Sequence, residues 1–309
     1  MAFQLRRRQP VPAAAQQPQK NLERPSAREI YAQVAQNARQ ELSRSTISLL
    51  ISGFAGGTFM GLSAMGNAIV LALLTSGGTV AATGTVQVVA KMFYPLGFIV
   101  VILGRSQLFT ENTLYPVALV LSEKRHFWNT LRLWAAVLPS NVLGALAFAC
   151  LAALSSALQP EFVQALSRLG LEALHHPADT IFWSGVIGGW IIALAAWLVS
   201  GSHSITGSVM IIWMLTFVVG LGNFAHCIAT SGEIFVAILT HQAPWSAYSA
   251  WFLPAVAGNI CGGVGMVTLI EYGQVIYGGD AKAAAVAAPA QDNTDNTDNT
   301  EDSHDHDAE

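Results

Sequence analysis

The chain has 309 residues, of which 52% are hydrophobic and only 11% are charged, and its formal net charge at pH 7 is −4. Because soluble globular chains carry about 25% charged residues, this composition excludes a soluble enzyme, a nucleic-acid binder and a secreted disulfide scaffold. The charge is concentrated at the ends: residues 1–44 carry a net +5 and residues 280–309 a net −8. The long uncharged runs between them exceed the roughly 20 apolar residues that a membrane-spanning helix needs. The composition therefore predicts an all-α, polytopic membrane protein.

The two ends of the chain are expected to lie outside the membrane-spanning part. Residues 1–26 are rich in proline, glutamine and arginine, which predicts a disordered basic arm. Residues 27–44 repeat apolar side chains at every fourth position, at Ile30, Val34, Ala38 and Leu42. This stripe predicts a short amphipathic helix at the membrane surface, with a frayed, solvated segment as the alternative. Residues 280–309 contain acidic repeats, which predict a disordered tail.

Six apolar segments follow one another within residues 45–279, which we predict to form one transmembrane channel domain. They lie near residues 45–75, 80–122, 127–158, 180–201, 204–240 and 245–278. Lysine and arginine are concentrated in the amino-terminal arm and in the connection that contains Lys124 and Arg125. By the positive-inside rule, both termini are expected in the cytoplasm.

The second and fifth segments are too long for one straight crossing, and each has polar residues or glycines at its centre. The second carries Arg105 and Glu111 there, and the fifth carries Gly220, Gly222 and His226. A helix can break at membrane depth only where protein or a water-filled cavity satisfies the freed backbone groups. Interrupted segments in corresponding positions of two halves point to a transport site. We therefore predict two broken helices around a pore.

The two halves of the domain also correspond in sequence. Gly104 lies six residues before Thr110, and Gly220 lies six residues before His226, which is an offset of 116 residues. The next segment of each half repeats an Asn-x-x-Gly pattern with an offset of 118 residues, beginning at Asn141 and Asn259. Because each half has three segments, the second half enters from the opposite side of the membrane. The sequence therefore predicts an inverted 3+3 repeat.

The breaks predict the chemistry of the pore. Each resumed helix presents unpaired N–H groups and the positive end of its dipole, so two such ends near the midplane favour a small anion. His226 directly follows the second break, and an ionisable residue inside the membrane indicates a functional site. It can donate a proton or a hydrogen bond to a passing anion. The alternative is a neutral imidazole that bonds Thr110 and only holds the break in place.

Apolar side chains adjoin both breaks. Leu108, Phe109 and Phe224 lie beside them, and Phe98 lies three turns before the first. These residues either form constrictions that strip water from the ion or serve as ordinary packing between helices. Lys91 is expected to reach a membrane interface with its long side chain.

Three motifs resemble the formate/nitrite transporter family. They are Leu-Phe-Thr at residues 108–110, Phe-Ala-His-Cys-Ile-Ala at residues 224–229 and Gly-Asn-Ile-Cys-Gly-Gly at residues 258–263. The resemblance covers roughly residues 27–279, and the second motif looks most like the YfdC-type branch. It implies an aquaporin-like fold and a homopentamer with one pore in each protomer, in a bacterial cytoplasmic membrane. It also implies transport of small monovalent anions such as formate, nitrite or hydrosulfide.

The resemblance implies roles for individual residues as well. Thr110 matches the threonine of the family's loop, His226 the central histidine that it contacts, and Leu108 and Phe109 the constriction residues. Val219 stands where formate channels have a constriction phenylalanine.

The chain departs from the family pattern at a vestibule. Ala173 replaces a vestibular lysine, so Arg168, His175 or His176 is expected to attract the anion.

The leading hypothesis is a passive or proton-linked channel for a small monocarboxylate or similar anion. The alternative is an aquaporin-like channel for a small neutral solute. The sequence contains no Asn-Pro dipeptide, which argues against membership of the aquaporin family itself. A membrane enzyme or sensor has no supporting motif. The three cysteines have no metal-type spacing, so neither a metal nor a cofactor is expected. The expected partners are the anion, protons and the lipid bilayer, with no nucleic acid.

Overall fold

A computed structural model describes residues 25–77, 82–124 and 126–287, with the side chains of residues 279–287 left undescribed. The predicted basic arm lies almost entirely outside these residues, as do residues 288–309 of the predicted acidic tail.

The described residues are helical throughout, apart from short connections. The α-helices are α1 (Ala27–Ser43), α2 (Thr46–Leu74), α3 (Gly84–Lys91), α4 (Pro95–Leu103), α5 (Tyr115–Glu123), α6 (Phe127–Leu154), α7 (Pro160–Leu174), α8 (Ala178–Ser200), α9 (Ile205–Leu221), α10 (Ala229–Leu239), α11 (Trp245–Ile260) and α12 (Ile270–Ala287). A short 3-10 helix, Glu111–Thr113, precedes α5, and a π-helical segment, Cys261–Leu269, joins α11 to α12. The all-helical class predicted from composition is confirmed.

Within the described ranges, five helical stretches are long and apolar enough to cross a membrane. They are Thr46–Leu74, Gly84–Leu103, Phe127–Leu154, Ala178–Ser200 and Trp245–Gly278. The predicted fifth segment, residues 204–240, is broken as expected, into two shorter apolar helices, α9 and α10. Each of these is too short for a full crossing.

Helix α1 begins with a capping box, in which Ser26 and Glu29 bond each other's backbone N–H groups. Its apolar stripe packs inward, so that Val34, Ala38 and Leu42 are buried against α5, α8 and α12. The stripe is therefore covered by protein.

Helix α7 has no counterpart among the predicted segments. It packs against α10 and α2, and its buried face includes Leu166 and Gly170. A side chain on Gly170 would collide with the backbone of Glu233 in α10, so glycine is what lets these two helices meet. At 15 residues, α7 is shorter than the roughly 20 residues that indicate a membrane-spanning helix. Its sequence was therefore not recognised as one of the segments.

Helix α12 continues to Ala287, so the boundary predicted at residue 279 lies inside a helix. The segment after that boundary is rich in alanine, the residue with the highest helix propensity, which explains why the helix continues. The acidic repeats, which begin at Asp292, lie outside the described residues.

The closest helix contacts depend on glycines. Gly57 of α2 lies against the backbone of Asn141 in α6, and Gly189 of α8 lies against the backbone of Asn259 in α11. A Cβ at either glycine would overlap these backbone atoms, so the two helix pairs meet at backbone distance.

We expect Gly57→Ala to lower the free energy of unfolding by about 1–3 kcal/mol, because overpacking forces the α2 and α6 backbones apart. The measurement is the thermal midpoint of the detergent-solubilised protein. Gly273→Ala in α12 is the matched control, since nothing lies within 4 Å of its added Cβ. Equal midpoints for the two variants would contradict the close contact.

Candidate functional site at the two helix breaks

Both predicted breaks are present in the structure. The first separates the end of α4 at Leu103 from the start of α5 at Tyr115, and the second separates α9, ending at Leu221, from α10, starting at Ala229. Each break starts with a residue in the left-handed backbone region, Arg105 (φ 58°) and Asn223 (φ 49°) respectively. The two breaks therefore begin with the same backbone turn.

The glycine predicted at the second break is displaced from it. Gly104 does cap the carboxyl end of α4, but the corresponding cap of α9 is Gly222. Gly220 lies inside α9, where its missing side chain makes room for the ring of Tyr94. Gly220 therefore has a packing role, and Gly222 ends the helix.

A buried asparagine holds the first break. The Oδ1 of Asn141 accepts the N–H of Phe109 at 2.8 Å. Its Nδ2 donates to the carbonyls of Gly53 at 2.7 Å and Gln107 at 2.8 Å. One α6 side chain thus satisfies three backbone groups in α2 and the broken segment.

Asn259 makes the same three contacts at the second break. Its Oδ1 accepts the N–H of Cys227 at 2.9 Å, and its Nδ2 donates to the carbonyls of Gly185 at 2.8 Å and Ala225 at 2.9 Å. Both asparagines are fully buried. Buried polar groups are destabilising when they lose their hydrogen-bond partners. The three hydrogen bonds of each asparagine therefore fix the position of the broken segment that it contacts.

These contacts correct the register inferred from the glycines. The N–H groups bound by the two asparagines are 118 residues apart, as the asparagines themselves are. An offset of 118 pairs Leu108 with His226 and Thr110 with Ile228. The offset of 116, which made Thr110 the counterpart of His226, is therefore wrong at the breaks. It matched glycines by type, whereas the hydrogen bonds to asparagine determine which residues correspond.

His226 and Thr110 nevertheless meet. Thr110 Oγ1 lies 2.9 Å from His226 Nε2, and both side chains are buried. His226 Nδ1 accepts the backbone N–H groups of Ile228 at 3.3 Å and Ala229 at 3.1 Å. Since a backbone N–H can only donate, Nδ1 carries no proton. The ring is then a neutral imidazole that donates from Nε2 to Thr110, and the hydroxyl hydrogen of Thr110 is left to point towards another acceptor.

The N–H groups at the start of α10 differ from the expectation. They were predicted to be unpaired, but those of residues 227–231 all have acceptors. The start of α10 therefore offers an ion no free N–H group at these five residues, and the side chains of His226 and Thr110 are donors at the centre of the site.

Threonines tie this centre to the π-helical segment. Thr113 Oγ1 donates to the carbonyl of Thr110 at 2.7 Å, and Thr268 Oγ1 of the π-helical segment donates to the carbonyl of Thr113 at 3.1 Å. The sequence analysis missed both residues, because threonines that bond backbone carbonyls leave no periodic pattern.

The predicted apolar neighbours divide into two groups. The ring of Phe98 meets the His226 imidazole edge-on, with centroids 5.0 Å apart. Leu108 and Phe109 are also buried, and the Phe109 ring packs on Trp134 of α6 at 5.5 Å. Phe98 thus contacts the centre directly, while Phe109 packs towards α6.

Two cavities approach the breaks. The first, of about 260 Å³, lies beside α1 and the first break; its charged and polar lining includes Glu41, Arg105, Gln107 and Glu111. The second, of about 50 Å³, lies beside the second break; its lining includes Val219, Phe224, Lys91, Glu172 and Glu233. Among the described residues, neither Thr110 nor His226 lines either of these cavities.

The cavities lie towards opposite ends of α8. The first contacts Val199 and Ser200 at the carboxyl end of the helix. A larger groove that shares Glu172 and Phe224 with the second cavity contacts Asp179 at the amino end. A helix of 23 residues is about 35 Å long, so the first cavity and this groove extend from different ends of α8.

Two of the charged or titratable residues singled out in the sequence line the second cavity. Lys91 lines the second cavity, whereas an interface position was predicted. His176 lines this cavity too, but Arg168 and His175 do not. The chain turns between α3 and α4, so the distance along one straight helix, on which the prediction for Lys91 was based, does not apply.

A hydrogen-bonded chain fastens the first break to α1. Gln107 Nε2 donates to Glu41 at 2.5 Å, and Asn112 Nδ2 donates to Gln107 Oε1 at 2.9 Å. Trp134 Nε1 donates to the carbonyl of Asn112 at 2.9 Å.

Among the described residues, no group of three histidine, cysteine or acidic side chains could hold a metal ion.

Comparison with known proteins identifies the relatives of this chain. A family model described as "Formate/nitrite transporter" matches residues 28–273. "Inner membrane protein YfdC" of Escherichia coli (strain K12) is 30% identical over 80% of this chain and 78% of its own length. "Formate channel BtFdhC" of Bacillus thuringiensis is 24% identical over 74% of this chain and 87% of its own length.

Two solved structures share the fold. One, described as "FNT family ion channel", has a TM-score of 0.69 and 17% identity, covering 79% of this chain and 98% of its own. The other, "Pentameric formate channel with formate bound", has a TM-score of 0.61 and 20% identity, covering 75% and 97%.

We expect ¹⁵N NMR of histidine-labelled protein to show His226 as the neutral Nε2–H tautomer at neutral pH, because Nδ1 accepts two backbone N–H groups. His226→Gln assigns the signal by removing it. Thr110→Val removes the acceptor and should shift the Nε2 resonance, while Thr130→Val on α6 should not. An Nδ1-protonated ring in the folded protein would contradict the hydrogen-bond assignment.

Proposed function

Since the chain belongs to the formate/nitrite transporter family, we propose that it forms a membrane pore for small monovalent anions such as formate or nitrite. The family match over residues 28–273 and the relatives described as formate channels support this class of substrate. These relatives are transporters and channels, which is consistent with a protein that is not an enzyme.

The observation that carries the proposal is the buried pair of Thr110 and His226, held where two broken helices meet. An anion that reaches this point loses most of its water and needs hydrogen-bond donors in return. The Thr110 hydroxyl supplies one, and it is polarised because its oxygen accepts the Nε2–H of His226. Among the residues that the structure describes, no lysine or arginine hydrogen-bonds to Thr110 or His226. A permanent charge there would hold the ion too tightly for conduction.

In this proposal, His226 acts as a hydrogen-bond donor and not as a proton donor. A proton added at Nδ1 would repel the hydrogens of the two backbone N–H groups that donate to this nitrogen, and both hydrogen bonds would be lost. Any proton linkage of transport therefore involves another group. As in the constriction hypothesis from the sequence, the apolar side chains beside the breaks strip water from the ion: Leu108, Phe109, Phe98 and Phe224. Val219, which stands where formate channels have a constriction phenylalanine, lines the second cavity with Phe224 and adds to this apolar surface.

We also propose the topology predicted from the sequence: six membrane segments in an inverted, aquaporin-like repeat, with broken second and fifth segments. The matching contacts of Asn141 and Asn259 support it, as do those of Gly57 and Gly189. We propose a homopentamer because one structural neighbour is described as a pentameric formate channel. An inner-membrane location with cytoplasmic termini agrees with the description of the Escherichia coli relative and the basic amino-terminal arm.

The test is uptake of radiolabelled formate, nitrite and acetate into proteoliposomes. We expect Thr110→Val and His226→Ala each to lower formate uptake roughly tenfold to a hundredfold, because a hydrogen bond to a charged group contributes about 1.5–3 kcal/mol. Thr110→Ser keeps the hydroxyl and should retain most of the flux. Thr130→Val is the matched control, since Thr130 bonds only a helix carbonyl on α6.

Three results would overturn parts of this proposal. Wild-type flux equal to that of empty liposomes would remove the anion channel. Water flux without anion flux would establish the neutral-solute alternative. Anion flux unchanged in both Thr110→Val and His226→Ala would leave a channel but remove this pair from its mechanism.

A further inference from the structure

The cavity beside the second break holds a cluster of three charged side chains contributed by three helices. Lys91 ends α3, Glu172 lies near the end of α7, and Glu233 lies in the middle of α10. All three line the same space of about 50 Å³. Membrane proteins rarely carry ionisable groups at such positions unless they serve the transported species.

The charges in this cavity do not balance. Among its described lining residues, Lys91 is the single lysine or arginine, whereas Glu172 and Glu233 are both acids. With both carboxyls ionised and His176 neutral, the cavity carries a net charge of one negative unit. An anion that arrived alone would double this negative charge in a space of low dielectric, where repulsion is strong.

Burial distinguishes the two acids. Glu233 is only 8% exposed, while Glu172 is exposed and also lines the adjoining groove. Water can therefore compensate a charge on Glu172 more easily than one on Glu233. Glu233 is the carboxyl for which neutralisation relieves most of the repulsion.

Few other titratable groups face Glu233. Helix α7 contributes Glu172, and His176 follows it; α3 contributes Lys91, and Tyr94 follows that helix. Helices α2, α6 and α11 also pack against α10, but within the described chain they contribute no residue to this cavity. A proton on Glu233 therefore acts mainly on Lys91 and Glu172.

Resting on the proposed function, we infer that this cavity takes up a monovalent anion and a proton together, the anion at Lys91 and the proton on Glu233. The proton converts one Glu233 carboxylate to the neutral acid. The anion then pairs with the Lys91 ammonium group that the carboxylate had attracted. One negative and one positive charge arrive together, so the net charge of the cavity is unchanged.

The position of the cluster suits this role. Val219 and Phe224 line the same cavity on the side of the second break, and Phe224 precedes His226 by two residues. An anion released from Lys91 therefore meets apolar side chains next and the central pair after them. Lys91 and Glu233 are uptake groups at the mouth of the pore, and they do not contact the Thr110–His226 pair.

The test measures radiolabelled formate uptake into proteoliposomes at external pH values between about 5 and 8, over which the external proton concentration changes about a thousandfold. We expect wild-type uptake to rise with acidity, because acid supplies the proton for Glu233. Glu233→Gln should make the ratio of uptake at low pH to that at high pH close to one. Glu161→Gln, at the start of α7 and outside the cavity, should keep the wild-type ratio.

The anion-binding half of the inference is tested with Lys91→Gln. We expect its half-saturating formate concentration to rise about tenfold with a maximal rate within about twofold of wild type, the pattern expected when electrostatic attraction is lost. Lys91→Arg keeps the charge and should restore the wild-type value. Lys124→Gln, on a loop outside the cavity, is the control, and elution volume and thermal midpoint verify the fold of every variant.

The outcomes separate this inference from the proposed function. No formate flux in the wild type at any pH removes the channel itself. Wild-type flux together with an unchanged pH ratio in Glu233→Gln, or an unchanged half-saturating concentration in Lys91→Gln, overturns the inference and leaves the channel. If either variant misfolds, Glu172→Gln takes its place: because it removes the second carboxylate, it should lower the half-saturating concentration at high pH, and no change would overturn the inference.

Discussion

The structure depends on one constraint, which is that a helix broken inside a membrane must find partners for the backbone groups it frees. Asn141 and Asn259 meet this demand, each with one accepted and two donated hydrogen bonds to backbone. Both lie on helices packed at backbone distance against the next, because glycines stand opposite them. The glycine contacts, the asparagines and the breaks therefore form one interdependent arrangement.

The same arrangement explains how His226 meets Thr110 although the two residues lie at different positions relative to the N–H groups that Asn141 and Asn259 bind. Each asparagine holds the N–H one residue from the functional side chain, before Thr110 at the first break and after His226 at the second. The two-residue difference brings a ring and a hydroxyl together across the centre, with Phe98 against the ring. The centre is therefore asymmetric in chemistry although its supports are alike.

Sequence patterns predicted the features that have a strong compositional or periodic signal. Long apolar runs predicted the helices, and polar residues within them predicted the breaks. The contact between His226 and Thr110 was implied by the family resemblance and was the alternative interpretation of the isolated histidine. Features determined by tertiary geometry were not predicted. The register of the repeat was misjudged from glycine type, because Gly220 accommodates Tyr94 and does not end its helix.

Other misses have a similar cause. Helix α7 is short and only partly apolar, so a search for membrane-spanning stretches passes over it. Lys91 reaches the second cavity only because the chain turns between α3 and α4. The π-helical segment is not distinguishable from an α-helix by composition. These features depend on contacts between residues that are distant in the sequence. The local pattern of a single sequence does not contain that information.

The hydrogen bonds of His226 have a consequence for coordination chemistry. A transition-metal ion binds imidazole through a ring nitrogen that carries a free lone pair. Here the Nδ1 lone pair accepts two backbone N–H groups, and Nε2 carries the proton donated to Thr110. Neither nitrogen is open to a metal, so the central histidine of this protein is shielded from zinc, copper and nickel ions even though imidazole is their commonest protein ligand.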